Sequence, residues 1–333
     1  MDSQRLIRLL NRLPRVRLVV AGDLVADEFI YGRIDRVSRE APVLILRYDS
    51  TEVVPGGAGN AAANAAMLGA AVDVVGVVGR DEVGRRVLEA LPRRAGTTGV
   101  ARLARHVTPV KTRILAGGVH SAKQQVVRID RAGGPVTPVM TRHVVGALSR
   151  ALRRADAVIL SDYGSGLVTP DVWRQALTAA SVTRPPLVFV DSRYRLDQFD
   201  GVTACTPNES EVEALFGITI GDDRAALEGA GRMLLDRLGC RAVLITRGSR
   251  GMALFEPGRP ADHIPIVGSD QIADVTGAGD TVIAAFSLAV AAGASFADAA
   301  RLANIAGGLV VMKRGTATVT AGELRDHIQR ISE

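Results

Sequence analysis

The sequence contains few aromatic residues and few cysteines or histidines. Phe, Tyr and Trp make up 4% of the 333 residues, so a hydrophobic core must be built from Val, Leu, Ile and Ala. The two cysteines, Cys205 and Cys240, cannot form a disulfide framework and show no metal-ligand spacing. The five histidines are isolated, and no HExxH motif occurs. These absences indicate a reducing compartment, and we expect a cytoplasmic protein.

Long runs of one charge or of apolar residues are also missing. Lys and Arg outnumber Asp and Glu by 41 to 35, but no block of five or six like charges occurs. The N-terminal residues include no apolar run long enough for a secretory signal. The longest apolar stretch, about 282–294, is too short to span a bilayer and predicts a buried core helix. We therefore expect neither a nucleic acid nor a membrane as a partner.

Strand-like and helical segments alternate along the chain. The stretch 62–70 is typical of a helix, and apolar runs that predict strands lie at 16–23, 72–79, 156–166, 187–192 and 241–251. This alternation predicts an α/β fold in which a mostly parallel sheet is covered by helices on both faces. No repeat or linker divides the chain, so we expect residues 1–333 to form a single domain.

Two segments interrupt this alternation. Residues 31–54 and 109–130 alternate apolar and polar side chains with a period of two. They predict antiparallel strands outside the main sheet, where they would form a small β lid over a site.

Polar residues follow several of the predicted strands, namely Asp23, Asp162, Asp191 and Thr246. In open α/β sheets, ligands bind where the carboxyl ends of strands meet helix N-termini. The sequence therefore predicts a ligand site at this edge of the sheet.

A glycine-rich turn near the C-terminus, in DVTGAGDTVIAAFSLAV, precedes a helical run. Gly277, Ala278 and Gly279 place backbone N–H groups at a helix N-terminus, which attracts anionic oxygens. Asp280 follows directly and is a candidate acceptor for the proton of a nucleophile in phosphoryl transfer. We expect the helix N-terminus to keep Asp280 ionised. The alternative is that Asp280 only caps the helix.

A second glycine-rich turn, GGAGN, precedes the helical stretch 62–70. Gly56 and Gly57 expose backbone, and the Asn60 side chain offers donors and an acceptor to a polyhydroxylated ligand. The alternative is a tight turn without a ligand.

Together, the two turns resemble the two signatures of the ribokinase-like family, also called the PfkB carbohydrate kinases, over a region from about Val16 to the chain end. The resemblance implies an ATP-dependent sugar kinase with a doubly wound α/β domain and a small β lid. It implies that Asp280 is the catalytic base and that Gly277 to Gly279 form an anion hole for the transferring phosphoryl group. The residues that it assigns to the sugar are Asp23, Gly56, Gly57 and Asn60.

The same resemblance implies sites for ATP and metal ions. The stretch TPNESE resembles an Asn-x-x-Glu element, in which Asn208 and Glu211 arrange Mg²⁺, its waters and the nucleotide phosphates. The alternative for Glu211 is a solvated helix face. Asp274 and Thr276 correspond to positions where some family members bind K⁺. The other residues implied near ATP are Thr246, Gly248, Gly251 and Asn304, while Lys313 is either near the adenine or a surface lysine.

Within the family, RVSREAPVLIL, VVRID and LSDYGSG are similar to segments of the D-glycero-β-D-manno-heptose 7-phosphate kinases. Those enzymes phosphorylate the anomeric hydroxyl of a sugar that already carries a phosphate, and this is the activity we predict. The chain departs from them at Ser165, where a DYxKG motif commonly has lysine. The candidates for holding a substrate phosphate, each otherwise a surface or lid-packing residue, are Arg113, Arg36, Arg128 and Lys111.

Other functions fit parts of this pattern. A ribokinase- or fructokinase-like enzyme would phosphorylate a neutral sugar, and a non-catalytic sensor would bind sugar and nucleotide without turnover. The absence of GxGxxG after the first strand argues against a Rossmann dehydrogenase, and the absence of GxxxxGK[ST] against a P-loop enzyme. The lid segments have the pattern of strands that pair across subunits, and with the family resemblance this predicts a homodimer.

Overall fold

A nine-stranded sheet with helices on both faces forms the centre of the computed structural model. The structure describes residues 3–117, 123–267 and 274–331, and the architecture below refers to these ranges. The predicted α/β fold is confirmed.

The main sheet is mostly parallel. From one edge to the other, its strands are β13 (Asp262–Ile264), β12 (Met252–Phe255), β11 (Ala242–Thr246), β10 (Ala204–Cys205), β9 (Leu187–Ser192), β8 (Ala157–Asp162), β1 (Arg17–Gly22), β4 (Ala71–Gly79) and β5 (Ala95–Leu103). The strands from β11 to β5 run parallel, and β12 and β13 add an antiparallel edge. The chain builds outward from β1 in one direction and from β8 in the other, which makes the sheet doubly wound.

The central strand β1 is buried on both faces of the sheet. Leu18 and Val20 pack in one apolar cluster, while Val19 and Ala21 pack in a second. Because successive side chains of a strand point to opposite faces, a continuous apolar run is what a strand covered on both sides requires.

The helices form a layer on each face. One apolar cluster includes side chains from α1 (Ser3–Leu10), α2 (Ala58–Met67), α8 (Ala278–Ala291), α9 (Phe296–Val310) and α10 (Ala321–Arg330). The other includes side chains from α4 (Pro138–Leu152), α5 (Pro170–Ala180), α6 (Glu209–Phe216) and α7 (Arg224–Leu238). Helix α8 is buried from Asp280 to Val290, as its apolar sequence predicted.

A four-stranded sheet, here called the lid sheet, lies outside the main sheet. Its spatial order is β3 (Leu44–Gly57), β2 (Leu24–Val37), β6 (Val110–Gly117) and β7 (Gln124–Arg131), with α3 (Glu82–Glu89) packed nearby. The strands therefore extend beyond the predicted segment 31–54 at both ends. Residues 118–122 of the second predicted segment lie outside the described residues. The expected antiparallel pairing holds for β2 with β3 and β6 with β7, but β2 and β6 run parallel.

The lid sheet is joined to the main sheet through Asp23. Strand β1 ends at Gly22 and β2 begins at Leu24. The Asp23 N–H donates to the carbonyl of Ser161 in β8, and the Asp23 carbonyl accepts from the N–H of Ala58 in α2. The backbone of Asp23 is therefore held by a strand and by a helix. Among the helices of the described ranges, none combines the length and the hydrophobicity needed to cross a bilayer.

Candidate active site

Asp280 lies in the first turn of α8, beside the predicted phosphate-binding turn. The helix begins at Ala278, and its N-cap is Gly277, which has a φ of 76° and provides no side-chain cap. Because the capping position belongs to Gly277, the alternative that Asp280 only caps the helix is wrong. The Asp280 residue is buried, with an exposed fraction of 3%.

Both carboxylate oxygens of Asp280 accept hydrogen bonds from distant parts of the chain. Nδ2 of Asn60, in α2, donates to Oδ2 over 2.8 Å. The hydroxyl of Tyr163, directly after β8, donates to Oδ1 over 2.9 Å. Three separate segments therefore fix the position of this carboxylate.

Burial also changes the acidity of Asp280. It raises the pKa of the carboxyl to about 7, although the hydrogen bonds from Asn60 and Tyr163 and the positive charge of Lys111 lower it; the negative charge of Asp27 adds to the rise. Burial thus outweighs the lowering of the pKa that we expect from the helix N-terminus, and Asp280 is fully ionised only above neutral pH. A carboxyl that titrates near neutral pH is suited to accept a proton and release it again.

The turn before α8 presents free backbone donors. The N–H of Ala278 points to the carbonyl of Val275 over 3.3 Å, whereas those of Gly277, Gly279 and Asp280 have no acceptor within the described residues. A Cβ added to Gly279 would meet no atom within 4 Å, so open space adjoins this residue. The predicted anion hole thus retains two of its three amides and gains that of Asp280.

Asn60 contacts both Asp280 and the glycine-rich turn before α8. Its Nδ2 also contacts the carbonyl of Gly277 over 3.2 Å, and its Oδ1 accepts from Asn64 over 3.0 Å. The residue is 1% exposed and lines neither of the cavities described below. Its side-chain groups are directed to Asp280, to the Gly277 carbonyl and to Asn64, and the predicted contact with the sugar stays a prediction.

A cavity of about 430 Å³ includes residues of the lid sheet and of the strand ends in its lining. Asp23 lines it, and Oδ2 of Asp23 accepts from the N–H groups of Tyr163 (2.9 Å) and Ser165 (3.2 Å). The Ser165 hydroxyl donates to Oδ1. Burial raises the pKa of Asp23, while the hydrogen bonds from Ser165 lower it. Its remaining acceptor positions are suited to ligand hydroxyls.

The two glycines of the GGAGN turn allow close packing beside Asp23. Gly57 has a φ of 57°, and a side chain there would collide with the Asp23 carbonyl. A side chain at Gly56 would collide with the carboxylate of Asp27. Their predicted contacts with a sugar stay a prediction.

A second cavity, of about 220 Å³, lies at the phosphate-binding turn. Tyr163 and Arg193 line both cavities and therefore lie between them. The other residues that line the smaller cavity are Asp162, Asp191, Thr206, Asn208, Glu211, Thr246, Val275, Gly277, Gly279 and Asp280. The structure thus brings the predicted base, the free amides and three of the predicted ATP residues to one place.

Asn208 and Glu211 form a capping box at the start of α6. The side chain of each accepts the backbone N–H of the other over 2.9 Å. Glu211 is half-buried, and burial raises the pKa of its carboxyl; the choice between a metal-binding role and a solvated helix face stays open. Burial, with the negative charges of Glu211 and Asp280, raises the pKa of Asp191 well above its usual value. The negative charges of these neighbouring carboxyls therefore oppose the ionisation of Asp191.

The smaller cavity also has an unsatisfied polar atom in its lining. The hydroxyl of Thr206 is buried and has no hydrogen-bond partner in the part of the chain that the structure describes. An unpaired buried hydroxyl is costly, and a polar ligand would satisfy it. With the free N–H groups and the open space at Gly279, this donor set fits the phosphates of a nucleotide.

Three residues predicted near ATP line neither cavity. Gly248 and Gly251, with φ of 55° and 78°, flank the turn after β11. Asn304, in α9, is 3% exposed and donates to the carbonyl of Pro265 over 2.7 Å. Their nucleotide contacts stay a prediction.

The residues predicted for K⁺ stabilise the segment before the phosphate turn. The Asp274 carboxylate accepts the N–H of Thr276 over 2.9 Å and that of Gly315 over 3.1 Å. Binding of K⁺ by Asp274 and Thr276 stays a prediction.

The predicted phosphate-holding cations are not equivalent. Arg113 is 8% exposed and pairs with Asp27 over 2.6 Å, so its charge is neutralised within the lid sheet. Arg128 pairs with Asp130 over 2.9 Å. Of these three basic lid residues, only Lys111 lines the larger cavity. The predicted contact of Arg113 with substrate stays a prediction, and its ion pair with Asp27 would have to be shared or exchanged for such a contact.

Sequence reasoning did not select Tyr163 or Arg193 for the site. Both follow strands of the main sheet, as Asp23 does. The strand-end rule that selected Asp23 and Asp191 would have found them if it had been extended to the next residues of each loop.

Comparison with known proteins gives the family of the chain. Residues 24–321 match the family described as pfkB family carbohydrate kinase. The Bifunctional protein HldE of Caulobacter vibrioides is 41% identical over 322 residues, which cover 95% of this chain and 65% of that protein. The D-beta-D-heptose 7-phosphate kinase of Bordetella bronchiseptica is 39% identical over 316 residues, covering 94% of this chain and 96% of that protein. The chain thus spans less than two thirds of the HldE protein.

Solved structures share the fold. Arabidopsis thaliana ribokinase complexed with ribose and ATP aligns with a TM-score of 0.72 at 22% identity, covering 94% of this chain and 99% of that chain. Escherichia coli phosphofructokinase-2 in complex with fructose-6-phosphate aligns with a TM-score of 0.75 at 17% identity, covering 96% of this chain and 100% of that chain.

Proposed function

Because the chain belongs to the pfkB family of carbohydrate kinases, we propose that it transfers the γ-phosphoryl group of ATP to a sugar hydroxyl, with Asp280 as the base. The observation that carries this proposal is that Asp280 lines the smaller cavity and is one hydrogen bond away from a residue that lines the larger. Asp280 lines the smaller one, beside free amides, and is hydrogen-bonded to Tyr163, which lines both.

In the proposed reaction, the sugar enters the larger cavity and ATP places its terminal phosphate at the turn before α8. The sugar oxygen forms a bond to the γ-phosphorus while the bond from that phosphorus to the bridging oxygen breaks, and ADP leaves. The proton of the hydroxyl passes to Asp280. The N–H groups of Gly277, Gly279 and Asp280 stabilise charge on the phosphoryl oxygens.

We propose that Asn208, Glu211 and Asp191 hold the Mg²⁺ that accompanies ATP, directly or through water. When bound, Mg²⁺ neutralises phosphate charge. No group of three or more His, Cys, Asp or Glu within the described ranges could hold a metal ion. Mg²⁺ is commonly held by one or two carboxylates together with waters and substrate phosphates, so this arrangement is adequate.

We propose D-glycero-β-D-manno-heptose 7-phosphate as the sugar and its anomeric hydroxyl as the acceptor. The name and the 39% identity of the Bordetella kinase support this choice. The larger cavity also supports it, because Asp23 is available for hydroxyls and basic side chains line the same space.

A homodimer formed through the lid sheet is also proposed. Large apolar side chains on β2, β3 and β7 are exposed, among them Val37 (60%), Tyr48 (65%) and Ile129 (54%). Association of two lid sheets would cover this apolar surface. Sedimentation of the purified chain as a monomer at micromolar concentration would contradict the dimer and leave the chemistry unaffected.

The activity can be tested with the purified chain, Mg-ATP and a panel of acceptors. We expect ADP release with heptose 7-phosphate and little with the same heptose lacking phosphate, ribose or fructose. Asp280→Asn should lower kcat by about 10²–10⁴ while ATP binding persists. Turnover of only a neutral sugar would replace the heptose assignment. Binding of both ligands without ADP release would indicate a sensor.

A further inference from the structure

Two basic side chains lie over the ring of Tyr163. Nζ of Lys111 is 4.9 Å from the ring centroid, and Cζ of Arg193 is 4.7 Å from it. Lys111 comes from β6 of the lid sheet, whereas Arg193 follows β9 of the main sheet. One aromatic ring therefore contacts a positive charge from the lid sheet and another from the main sheet.

Neither of these cations forms an ion pair within 4 Å among the described residues, although the charge of Arg193 acts on Asp191 and Glu211 and that of Lys111 acts on Asp280. Two carboxylates whose charges act on Lys111 already have partners, since Asp27 pairs with Arg113 over 2.6 Å and Asp130 pairs with Arg128 over 2.9 Å. Burial lowers the pKa of Lys111, and the positive charge of Arg193 lowers it further. The ring faces offset only part of the cost of two adjacent like charges.

The location of this pair indicates what it binds. Lys111 and Arg193 line the larger cavity together with Asp23, the residue suited to sugar hydroxyls. The hydroxyl of the same Tyr163 contacts the base Asp280. The ring therefore sets the distance between the site of reaction and the two charges.

We propose that Lys111 and Arg193 form an anion subsite that holds a phosphate group carried by the acceptor sugar. The proposal rests on the sugar-kinase function and names the feature of the sugar that the site selects. The guanidinium of Arg193 provides a planar pair of hydrogen-bond donors, and the ammonium of Lys111 provides a compact positive charge. The two negative charges of a phosphomonoester neutralise both groups. Ser165 donates to Asp23 and so contributes no charge here.

The transferring phosphoryl group has the same chemistry and is the other source of such an anion. Arg193 also lines the smaller cavity, so the two sources must be separated experimentally. A subsite for the acceptor phosphate changes the preference between phosphorylated and neutral sugars. Contact with the transferring group changes the turnover of every acceptor equally.

The test compares Lys111→Met and Arg193→Met with the wild-type chain, using heptose 7-phosphate and the same heptose without phosphate. Two matched controls remove a cation that lies over a ring outside the cavity. They are Lys123→Met, over Tyr31 at 5.5 Å, and Arg241→Met, over Phe296 at 5.4 Å. Rescue variants are Lys111→Arg and Arg193→Lys.

We expect each test variant to raise KM for heptose 7-phosphate by about 10- to 100-fold, the usual effect of losing a charge-assisted hydrogen bond. Because Lys111 also lowers the pKa of Asp280 and Arg193 also lines the smaller cavity, both sugars are compared at a pH above the titration of Asp280, where kcat/KM for heptose 7-phosphate should fall at least about tenfold more than that for the neutral heptose. The controls should behave as wild type, and the rescue variants should recover most of the affinity. Calorimetric binding of heptose 7-phosphate to Asp280→Asn, with and without Lys111→Met, gives the same comparison without turnover.

Three outcomes would overturn the subsite. The first is an unchanged preference for the phosphorylated sugar in both variants. The second is an equal loss of kcat on both sugars, which would assign Lys111 and Arg193 to the transferring phosphoryl group. The third is an equal loss in the Lys123→Met and Arg241→Met controls. If the wild-type chain phosphorylates no sugar but binds heptose 7-phosphate in a Lys111-dependent way, the kinase proposal fails and the subsite stands.

Discussion

Oη of Tyr163 lies 2.9 Å from Oδ1 of Asp280, so the proposed base receives a hydrogen bond from a side chain that also separates the two cavities. The second carboxylate oxygen is held by Asn60. Because both donors stabilise the ionised form, they oppose the rise in pKa that burial imposes on Asp280. Asn60 and Tyr163 therefore orient the carboxylate of Asp280 and also lower its pKa.

Removal of the phenol hydroxyl should shift the pH dependence of the reaction. Asp280 must be ionised to accept a proton, and its pKa of about 7 means that kcat/KM falls as the pH drops below neutrality. Tyr163→Phe raises this pKa further, so the acidic limb should move to higher pH by about one to two units. A matched control is Tyr194→Phe, which alters a largely exposed tyrosine. If the acidic limb of the kcat/KM profile stays at the same pH in Tyr163→Phe, the hydrogen bond from Tyr163 does not lower the pKa of Asp280.

Replacement of Asp280 should stabilise the fold while it removes activity. The pKa of Asp280 rises from 3.8 in the unfolded chain to about 7 in the folded protein, so ionisation costs folding free energy as the pH rises through this range. The full cost, above pH 7, is up to about 4 kcal/mol. Asp280→Asn should therefore raise Tm relative to the wild type at pH 8 and much less at pH 4. A Tm difference that is the same at both pH values would contradict the raised pKa.

The two glycines of the phosphate turn should respond differently to alanine. In Gly277→Ala, the new Cβ would collide with Nδ2 of Asn60 at a residue with φ of 76°, so we expect a stability loss of about 1–3 kcal/mol and impaired catalysis. Gly279→Ala meets no atom within 4 Å and lies in a helix, so stability should hold or rise by up to about 1 kcal/mol. KM for ATP should nevertheless increase, because the methyl group occupies the space proposed for phosphate. Thermal melts with ATP titrations distinguish these effects, and normal ATP affinity in Gly279→Ala would argue against the anion hole.

Glu211 should determine the requirement for Mg²⁺. Glu211→Gln keeps an oxygen for the N–H of Asn208, so the capping box and α6 should persist. The lost charge should raise the Mg²⁺ concentration for half-maximal activity by about tenfold. Glu323→Gln is the control, since Glu323 occupies the same capping-box position in α10, outside both cavities. Identical Mg²⁺ titrations for the two variants would exclude Glu211 from the metal site.

Local sequence pattern was sufficient to predict the layers of the fold. The apolar run of β1 and the helical start at Ala278 depend on residues that are close in sequence. The partners of Asp280 could not be predicted in this way, because Asn60 and Tyr163 are 220 and 117 residues away. Their contacts arise from the packing of α2 against α8 and from the loop after β8.

The charge state of Asp280 shows the same limitation. A helix N-terminus alone favours the ionised carboxylate, but the sequence does not show how completely neighbouring elements exclude water. Likewise, Arg113 and Lys111 are two residues apart on one strand. Asp27 neutralises the first, while the second faces the cavity, and this difference depends on the neighbouring strand.

The single residue between β1 and β2 has a mechanical consequence. Asp23 is the only residue between the end of a central strand and the start of the lid sheet, and its backbone is fastened on both sides. A change in the angle between the lid sheet and the main sheet at this connection would act on the backbone of a residue whose carboxylate lines the larger cavity. We therefore expect the geometry of any ligand held by Asp23 to depend on the angle between the two sheets.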